Sequence, residues 1–312
     1  MNFLSMDYFV TLAQERNFTR AAEKLHITQQ TLSAHIAVLE KEAGSPLFLR
    51  RVPLELTYAG KVFLRYAQDI RKDVRALQQE LNDAAQNEAG ELRIGTAPLR
   101  EKILLPGVIT RFLQQYPLVR FTLTEASNRV LQEKLLRGEI DLAIAGFPKT
   151  VPGVELIPYY EEEFVLLMSK KLLAQITAGK GYCQKDIPRR ITADFPAVFR
   201  ECPFLLNDKN SIAGQIAWDL FAENGFSPRI RIESDNMETL LELCAEGAGA
   251  MICSETLAGK TLDRSRFAEM ELFRFADPVK FTISFGCRRE PHRWSLLDSF
   301  IETALTCKPD PS

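Results

Sequence analysis

The chain has 312 residues, with 39 lysines and arginines against 41 aspartates and glutamates, and a formal net charge of −2. Hydrophobic residues make up 46% of it, which excludes an intrinsically disordered chain, since such chains combine low hydrophobicity with high net charge. The length predicts two or three domains. A balanced total charge still permits DNA binding, because a local basic patch can lie on a neutral chain.

The sequence contains no segment that approaches the ~20 consecutive apolar residues of a transmembrane helix. Near the start, Asp7, Glu15 and Arg16 interrupt the apolar pattern, whereas a secretory signal peptide has an unbroken apolar stretch. We therefore expect a cytoplasmic protein with no membrane partner.

The first ninety residues show helical spacing of apolar side chains. Helices are predicted over 2–15, over 20–25 after the caps Asn17 and Thr19, and from Thr28 or Gln29 to about 43, ending at Gly44. In the third helix Leu32, Ile36 and Leu39 form a buried stripe, which leaves the polar side chains around them on or near the outer side.

A small hairpin and a long helix follow. Pro53 separates two short apolar segments within 47–57, which predicts a hairpin with Arg50 and Arg51 near its tip. Thr57 caps a helix over 58–86 whose apolar residues repeat at spacings of three and four, as in a coiled coil. A narrow apolar stripe on so long a helix indicates that a second chain covers it. The stripe comprises Phe63, Tyr66, Ile70, Val74, Leu77, Leu81 and Ala84.

From Leu92 onward, predicted strands and helices alternate. The order strand, helix, strand, helix, strand within 92–147 predicts a parallel sheet with helices on its faces. A second α/β unit is predicted to begin near Phe164. Its later elements are strands at 203–207, 228–234, 249–254 and 281–287 and helices at 212–223, 236–246 and 293–305.

Two short helices joined by a tight turn, the second with a polar outer face, indicate a helix-turn-helix that enters the major groove of DNA. Glutamine offers a donor and an acceptor to an adenine edge, a helix N-terminus suits a phosphate, and arginines suit the flanking backbone. A plain three-helix bundle with a solvated face is the alternative. The predicted DNA-binding residues are Thr28, Gln29, Gln30, Thr31, Ser33, His35, Arg50 and Arg51.

A ligand site is predicted beyond the carboxyl ends of the strands, where ligands of open α/β sheets bind. Helix N-termini at that edge favour an anionic ligand. For any single residue there, ordinary loop and cap chemistry is an equally good explanation. The predicted set is Thr96, Ala97, Pro98, Ser127, Asn128, Gly146, Phe147, Asn207, Asn210 and Ser211.

The cysteines and histidines form no metal-binding or catalytic pattern, so we expect no metal, no cofactor and no enzymatic activity. Cys244 and Cys253 have apolar neighbours and are predicted to lie in the core. Cys183 and Cys202, around the irregular stretch 171–200, are candidates for exposure and for a redox-sensing pair. The acidic run 161–163 is expected on a solvated face.

The N-terminal block resembles the winged helix-turn-helix of LysR-type transcriptional regulators. The matching residues are Ala21-Ala22, Leu25, Thr28-Gln29, Leu32-Ser33, Ile36, Leu39-Glu40, Gly44, Leu47-Phe48, Arg50, Thr57 and Ala59-Gly60. The segments LRIGTA, LLRGEIDLAI and ESDNMETLLELCAEGAGAMI are similar, in order and spacing, to the effector domain of that family. The resemblance thus extends over nearly the whole chain.

The resemblance implies an α/β protein with an N-terminal all-α winged helix-turn-helix at 1–57 and a linker and dimerisation helix with a hinge at 58–90. The effector domain, 91–312, would consist of two subdomains like those of a periplasmic binding protein. Subdomain I would span about 91–161 and 268–312, and subdomain II about 162–267.

The function implied is transcriptional regulation controlled by a small-molecule effector bound between the subdomains. The implied partners are double-stranded promoter or operator DNA and further copies of the chain, as a homodimer or a tetramer built from two dimers. RNA polymerase is a candidate partner. Alternatives are a redox-sensing regulator of the same fold and a small-molecule binding or transport module, which the N-terminal block disfavours.

Overall fold

A computed structural model describes residues 2–51, 53–85, 88–178, 187, 189–192, 195 and 197–308. The chain folds as two units, residues 1–87 and 88–312. Across the described residues, every helix is too short or too polar to cross a membrane.

The first unit is mainly helical. Asparagine or threonine side chains cap the starts of its four helices, each by accepting a hydrogen bond from a backbone N–H of the first turn. In chain order its elements are α1 (Phe3–Glu15), α2 (Phe18–Lys24), α3 (Gln29–Ala43), β1 (Phe48–Leu49), β2 (Glu55–Leu56) and α4 (Tyr58–Ala84). The strands β1 and β2 pair as the predicted hairpin.

Aromatic packing joins the hairpin and the long helix to the bundle. The ring of Phe9 on α1 lies 5.1 Å from that of Phe48 in β1 and 4.8 Å from that of Phe63 on α4. The predicted stripe of α3, represented by Leu32 and Leu39, is fully buried. Burial of this stripe fixes which face of α3 remains outside.

The second unit begins with the predicted alternation. Its first elements are β3 (Gly90–Thr96), α5 (Pro98–Gln115), β4 (Val119–Glu125), α6 (Asn128–Leu136) and β5 (Leu142–Gly146). β3 pairs in parallel with both β4 and β5, so the prediction of a parallel sheet is confirmed. The carboxyl ends of these strands and the starts of α5 and α6 therefore meet at one edge.

Two long antiparallel strands, β6 (Val154–Ser169) and β11 (Met270–Arg288), connect the rest of the sheet. β6 begins ten residues before Phe164, and β11 is longer than the strand predicted at 281–287, because it starts at Met270. Register shifts in β11 near Arg274 and Ile283 accommodate this length. The long pair joins β5 on one side and β10 on the other into a single sheet.

The remaining described elements complete the sheet and cover it. They are α7 (Lys170–Thr177), β7 (Arg190–Ile191), a short 3-10 helix (Ala197–Phe199), β8 (Pro203–Asn207), α8 (Ile212–Glu223), β9 (Arg229–Ser234), α9 (Met237–Ala245), β10 (Met251–Ser254), α10 (Glu255–Thr261), α11 (Arg264–Ala268) and α12 (Ser295–Thr306). Among the described residues the main sheet has the order β10-β6-β11-β5-β3-β4, with β7 beside β11, and β8 pairs with β9 in a separate parallel sheet.

Candidate functional sites

The start of α3 presents exposed polar side chains. Thr28 caps the helix, since its Oγ1 accepts from the N–H of Thr31 at 3.1 Å and lies 2.8 Å from the Thr31 hydroxyl. Gln29, Gln30 and Thr31 are exposed in the first turn of α3, and Ser33 is half-buried. The start of α3 therefore presents two amide and three hydroxyl side chains.

His35 differs from the sequence expectation. Its Nδ1 lies 3.1 Å from the hydroxyl of Ser5 on α1, and its ring meets that of Tyr8 edge-on at 4.9 Å. The reason is position: His35 lies three residues after Leu32 and four before Leu39, which places it beside the buried stripe. It is half-buried against α1 rather than on the outer side.

A glutamate on α3 organises the hairpin. Oε1 of Glu40 accepts from the backbone N–H groups of Leu47 at 2.7 Å and Phe48 at 3.1 Å, and its Oε2 lies 3.6 Å from Arg50. Arg51 pairs with Glu55 across the hairpin. Both arginine side chains remain exposed, so each combines an intramolecular partner with access to solvent.

The second unit contains a cavity of about 610 Å³ at the carboxyl edge of its strands. Seven of the ten residues predicted for a ligand site line it: Ala97, Pro98, Ser127, Asn128, Asn207, Asn210 and Ser211. Thr96, Gly146 and Phe147 are not among the lining residues.

Packing explains the three that lie elsewhere. The hydroxyl of Thr96 is buried and donates to the carbonyl of Ile144 at 2.8 Å, which joins β3 to β5. Gly146 is covered by Phe281 and Ile212, so that even a Cβ atom would clash there. The ring of Phe147 lies against Gly286 on the neighbouring strand. All three residues therefore pack within the sheet and do not face the cavity.

Among the described residues, five helices begin at this cavity. Their N-cap residues, all of which line it, are Ala97, Ser127, Ser211, Asn236 and Ser254. The last three accept hydrogen bonds from their own helices, whereas no side chain caps α5 or α6. Asn236 and Ser254 were not predicted, although they lie just after and at the ends of the strands predicted at 228–234 and 249–254, where the same rule would have selected them.

The cavity wall also contains a buried ion pair that sequence analysis missed. Arg100 on α5 donates from Nε to Oε1 of Glu162 on β6 at 3.1 Å and from Nη2 to Oε2 at 2.9 Å. Tyr160 donates its hydroxyl to Oε1 of Glu162 at 3.0 Å. Glu162 has no exposed surface and Arg100 is 6% exposed.

Arg100 keeps its charge despite its burial. Burial alone would lower the pKa of Arg100, but the interactions with Glu162 and Tyr160 together outweigh it and raise that pKa above its ordinary value. Burial, and then the negative charge of Glu162, raise the pKa of Tyr160 so that its phenol stays protonated. Arg100 therefore stays charged and Tyr160 neutral at neutral pH.

The acidic run 161–163 therefore does not form one solvated face. Side chains alternate along a strand, and Glu161 is exposed beside Lys280 while Glu162 points inward. The expectation was wrong because it treated three consecutive carboxylates as a loop-like surface. The residues lie in the middle of β6.

The rest of the cavity mixes an apolar lining with carboxylates near the surface. Lys102 pairs with Glu238 among the lining residues, while Glu125, Asp208 and Asp235 are exposed. The lining also includes Asn128, whose Oδ1 is buried and has no hydrogen-bond partner among the described residues. An unpaired buried oxygen in a cavity requires an explanation, and a bound donor would supply one.

The described cysteines that the sequence singled out are all buried. Cys202, a candidate for exposure, is fully buried, and burial raises its pKa to about 12. Cys244 and Cys253 are in the core as predicted, each with a pKa raised by burial. Cys183 lies outside the described residues. Within the part of the chain that the structure describes, no group of three or more histidine, cysteine, aspartate or glutamate side chains fits a metal ion.

Two family models match the chain. The model "Bacterial regulatory helix-turn-helix protein, lysR family" matches residues 3–61, and the model "LysR substrate binding domain" matches residues 85–306. The first corresponds to the helical bundle with its hairpin, and the second to the unit that contains the cavity.

Individual relatives are similar to the chain in sequence, and solved structures are similar to it in fold. The chain is 31% identical to the HTH-type transcriptional regulator YcgK of Bacillus subtilis over 80% of this chain and 78% of that protein. It is 26% identical to the transcriptional activator IlvY of Salmonella typhimurium over 96% and 98%. Full-length OxyR from Pseudomonas aeruginosa has a TM-score of 0.72 at 24% identity, covering 98% of this chain and 95% of that chain. CbnR complexed with its target DNA has a TM-score of 0.63 at 24% identity, covering 98% and 100%.

Proposed function

The chain belongs to the LysR family of bacterial transcriptional regulators. From that membership we propose that α3 recognises an operator sequence and that a small molecule bound in the cavity changes the affinity of the protein for DNA. The observation that carries the proposal is the cavity itself. It collects five helix N-termini and the unpaired oxygen of Asn128 in the unit that matches the substrate-binding model.

On the DNA side, α3 lies in the major groove with Gln29 and Gln30 at base edges, where an amide pairs with adenine through two hydrogen bonds. Thr28 and the helix N-terminus bind a phosphate, with Thr31 and Ser33 beside them. Arg50 and Arg51 bind the flanking backbone. His35 contributes by fixing α3 against α1, as its contacts to Ser5 and Tyr8 support.

The assembly is a homodimer through α4, or a tetramer of two such dimers. Tyr66, Leu77 and Leu81 belong to the predicted seam, and each is more than half exposed in the single chain. Residues 1–90 carry eleven basic and eleven acidic side chains, so a single DNA-binding unit has little non-specific electrostatic attraction for DNA. Binding of the two units of a dimer to successive major grooves supplies the affinity. RNA polymerase is the proposed partner for activation.

The effector acts by shifting a population. We assign subdomain I to about 91–161 and 268–312, and subdomain II to about 162–267, with β6 and β11 as the connection between them. A ligand that touches both sides of the cavity stabilises the closed arrangement, and it changes DNA binding only through a difference in affinity for the two arrangements.

The proposal is tested by selecting fragments of the source genome that the full-length protein retains, followed by anisotropy titrations of one fragment. Arg50→Ala is expected to weaken binding to selected and unrelated DNA alike and to reduce the slope of log affinity against log salt by about 1. Retention of all fragments with equal affinity would contradict sequence-specific regulation.

The redox alternative receives no support from Cys202, the described member of the proposed pair. Cys202 is buried with a raised pKa, and the similarity to OxyR, at 24% identity, concerns the fold alone. Operator affinity that falls after peroxide treatment and is protected by Cys183→Ser would restore that alternative.

A further inference from the structure

We propose that the outer face of α3 recognises the 5-methyl group of a thymine through Ala34 and Val38. The inference rests on the proposed function, because it adds two specificity-determining residues and one base contact to the same helix. It follows from the side chains that lie opposite the buried stripe of α3.

The buried stripe of α3 defines an opposite face. Leu32, Ile36 and Leu39 are buried, and at about 3.6 residues per turn a second set of residues, spaced three or four apart, lies on the other side of the helix. All members of this outer face are exposed. They are Gln30, Ala34, Ala37, Val38 and Lys41. The face thus begins with an amide, ends with a lysine and is apolar between them.

The middle of the outer face is an exposed apolar patch. Val38 is 55% exposed, and Ala34 and Ala37 are exposed beside it. The core of the first unit is therefore packed without these three side chains. A partner that covers the patch removes its methyl groups from water, which favours binding.

The surroundings of the patch match the major groove of DNA. Lys41 is positive and the outer face contains no carboxylate, so the face suits a groove that is bordered by phosphates. Gln30 offers its amide to an adenine edge. A stable protein interface buries about 800 Å² on each partner, far more than three small side chains present. The apolar group that base edges expose in the major groove is the thymine methyl, which alanine-like side chains contact.

The helix rise places this thymine near the adenine that Gln30 contacts. Gln30 and Ala34 are separated by about 6 Å along the helix axis, and successive bases are about 3.4 Å apart. The thymine therefore lies one or two base pairs from the adenine. The Cβ atoms of residues four apart on a helix are about 5–6 Å from each other, so one methyl group contacts both Ala34 and Val38.

The test replaces thymine by deoxyuridine, which lacks only the 5-methyl group and keeps every hydrogen-bonding group of the base edge. Anisotropy titrations use one selected operator, with deoxyuridine placed at one thymine of a half-site at a time. The full-length parent is expected to bind about 3- to 5-fold more weakly when the methyl group that meets α3 is missing, the factor for one buried methyl group. Replacement at thymines outside the contact should leave the affinity unchanged.

Two variants assign the contact to the patch. Val38→Ala removes methyl groups from an exposed position, so circular dichroism should show the parent's helix content. Its preference for thymine over deoxyuridine at the sensitive position should fall below about 2-fold, because the buried apolar area is smaller. Ala34→Ser places a hydroxyl against the methyl group and should reduce the preference in the same way. The matched control, Leu118→Ala, shortens an exposed apolar side chain of the other unit and should keep the full preference.

The proposal would be overturned by an operator in which no single deoxyuridine weakens binding of the parent, or by an undiminished preference in both variants. Equal weakening of Val38→Ala on thymine and deoxyuridine DNA would also contradict it, because the patch would then contact something other than the methyl group. Selective operator binding that ignores every methyl group would count against this inference alone. If the parent bound all fragments equally, the regulator function would fail and this inference with it.

Discussion

The two candidate sites differ in how their residues are distributed along the chain. The proposed DNA-binding residues lie within one continuous segment, 28–51, and are positioned by one helix and one hairpin. The cavity is lined from Ala97 to Ala258, by loops that meet only because their strands share a sheet edge. A site that one local segment forms can therefore be predicted from the sequence, whereas a site assembled from distant strands can be predicted only in part.

Stability should differ in the same way. The first unit depends on caps and on a stripe of apolar side chains, all local features. The second contains two buried ion pairs, Arg93 with Asp141 and Arg100 with Glu162, which join residues 48 and 62 positions apart. Single changes at such pairs should therefore have larger effects than changes at a helix cap or a surface ion pair of the first unit.

The largest effect is expected for Asp141→Ala. Asp141 accepts from the backbone N–H of Arg93 at 2.9 Å and from its Nε at 3.0 Å, and both side chains are buried. Its removal leaves the buried guanidinium of Arg93 without an opposite charge, although Nη1 still donates to the carbonyls of Gly138 and Glu139. The free energy of unfolding should therefore fall by about 3–5 kcal/mol. Trp218 and Trp294, the two tryptophans of the chain, both belong to the second unit, so tryptophan fluorescence in a urea titration follows that unit.

The control for this prediction is Asp69→Ala. Asp69 pairs with Lys72 on the exposed surface of α4, and loss of a surface ion pair changes stability by less than about 1 kcal/mol. Because α4 belongs to the first unit, which contains no tryptophan, circular dichroism follows the unfolding of this variant. A loss at Asp141 no larger than that at Asp69 would remove the proposed difference between the units.

The next effect is expected for Glu40→Ala in the first unit. The substitution removes the acceptor of two backbone N–H groups in the hairpin, at a cost of about 1.5–3 kcal/mol, as for hydrogen bonds to a charged group. Thermal unfolding followed by circular dichroism, together with operator titrations, measures the loss. Glu40→Gln keeps the acceptor at Oε1 and should recover most of the stability. If the two variants behaved alike, Glu40 would not organise the hairpin.

A smaller and more selective effect is expected for Gln29→Ala. Its loss should weaken binding to the selected operator by about 1–3 kcal/mol, the value of one bidentate base contact, while binding to unrelated DNA stays unchanged. Anisotropy titrations on the two DNA fragments measure both quantities. Equal weakening on both fragments would place Gln29 at the phosphate backbone instead.

The smallest effects are expected at two serines of the cavity. Ser211 caps α8 by accepting from the N–H of Gly214 at 2.9 Å, so Ser211→Ala should cost about 1 kcal/mol. Ser127 occupies the same position of α6 without capping it, and Ser127→Ala should leave the unfolding free energy unchanged. Urea titrations compare the two, and a similar loss in both would contradict the assignment of α6 as an uncapped helix.

Prediction from sequence succeeded where the pattern was local. Gly44 ended α3, Thr57 opened α4 and Asn17 capped α2 as expected, because caps are short-range chemistry. The strand ends also pointed to the correct edge of the sheet, so seven of ten predicted residues line the cavity. His35, Cys202 and Glu162 were misplaced, since burial of each depends on an element far away in the sequence.

The sequence by itself determined the family and the order of helices and strands from α1 to β5, since each follows from spacing along a single segment. Only the tertiary structure decided which residues face the cavity. Thr96 and Gly146 are used by the sheet, and Arg100 meets Glu162 because β6 runs past the start of α5. Hydrophobic spacing specifies which face of an element is buried, but the partner on that face is set by strand pairing across the whole unit.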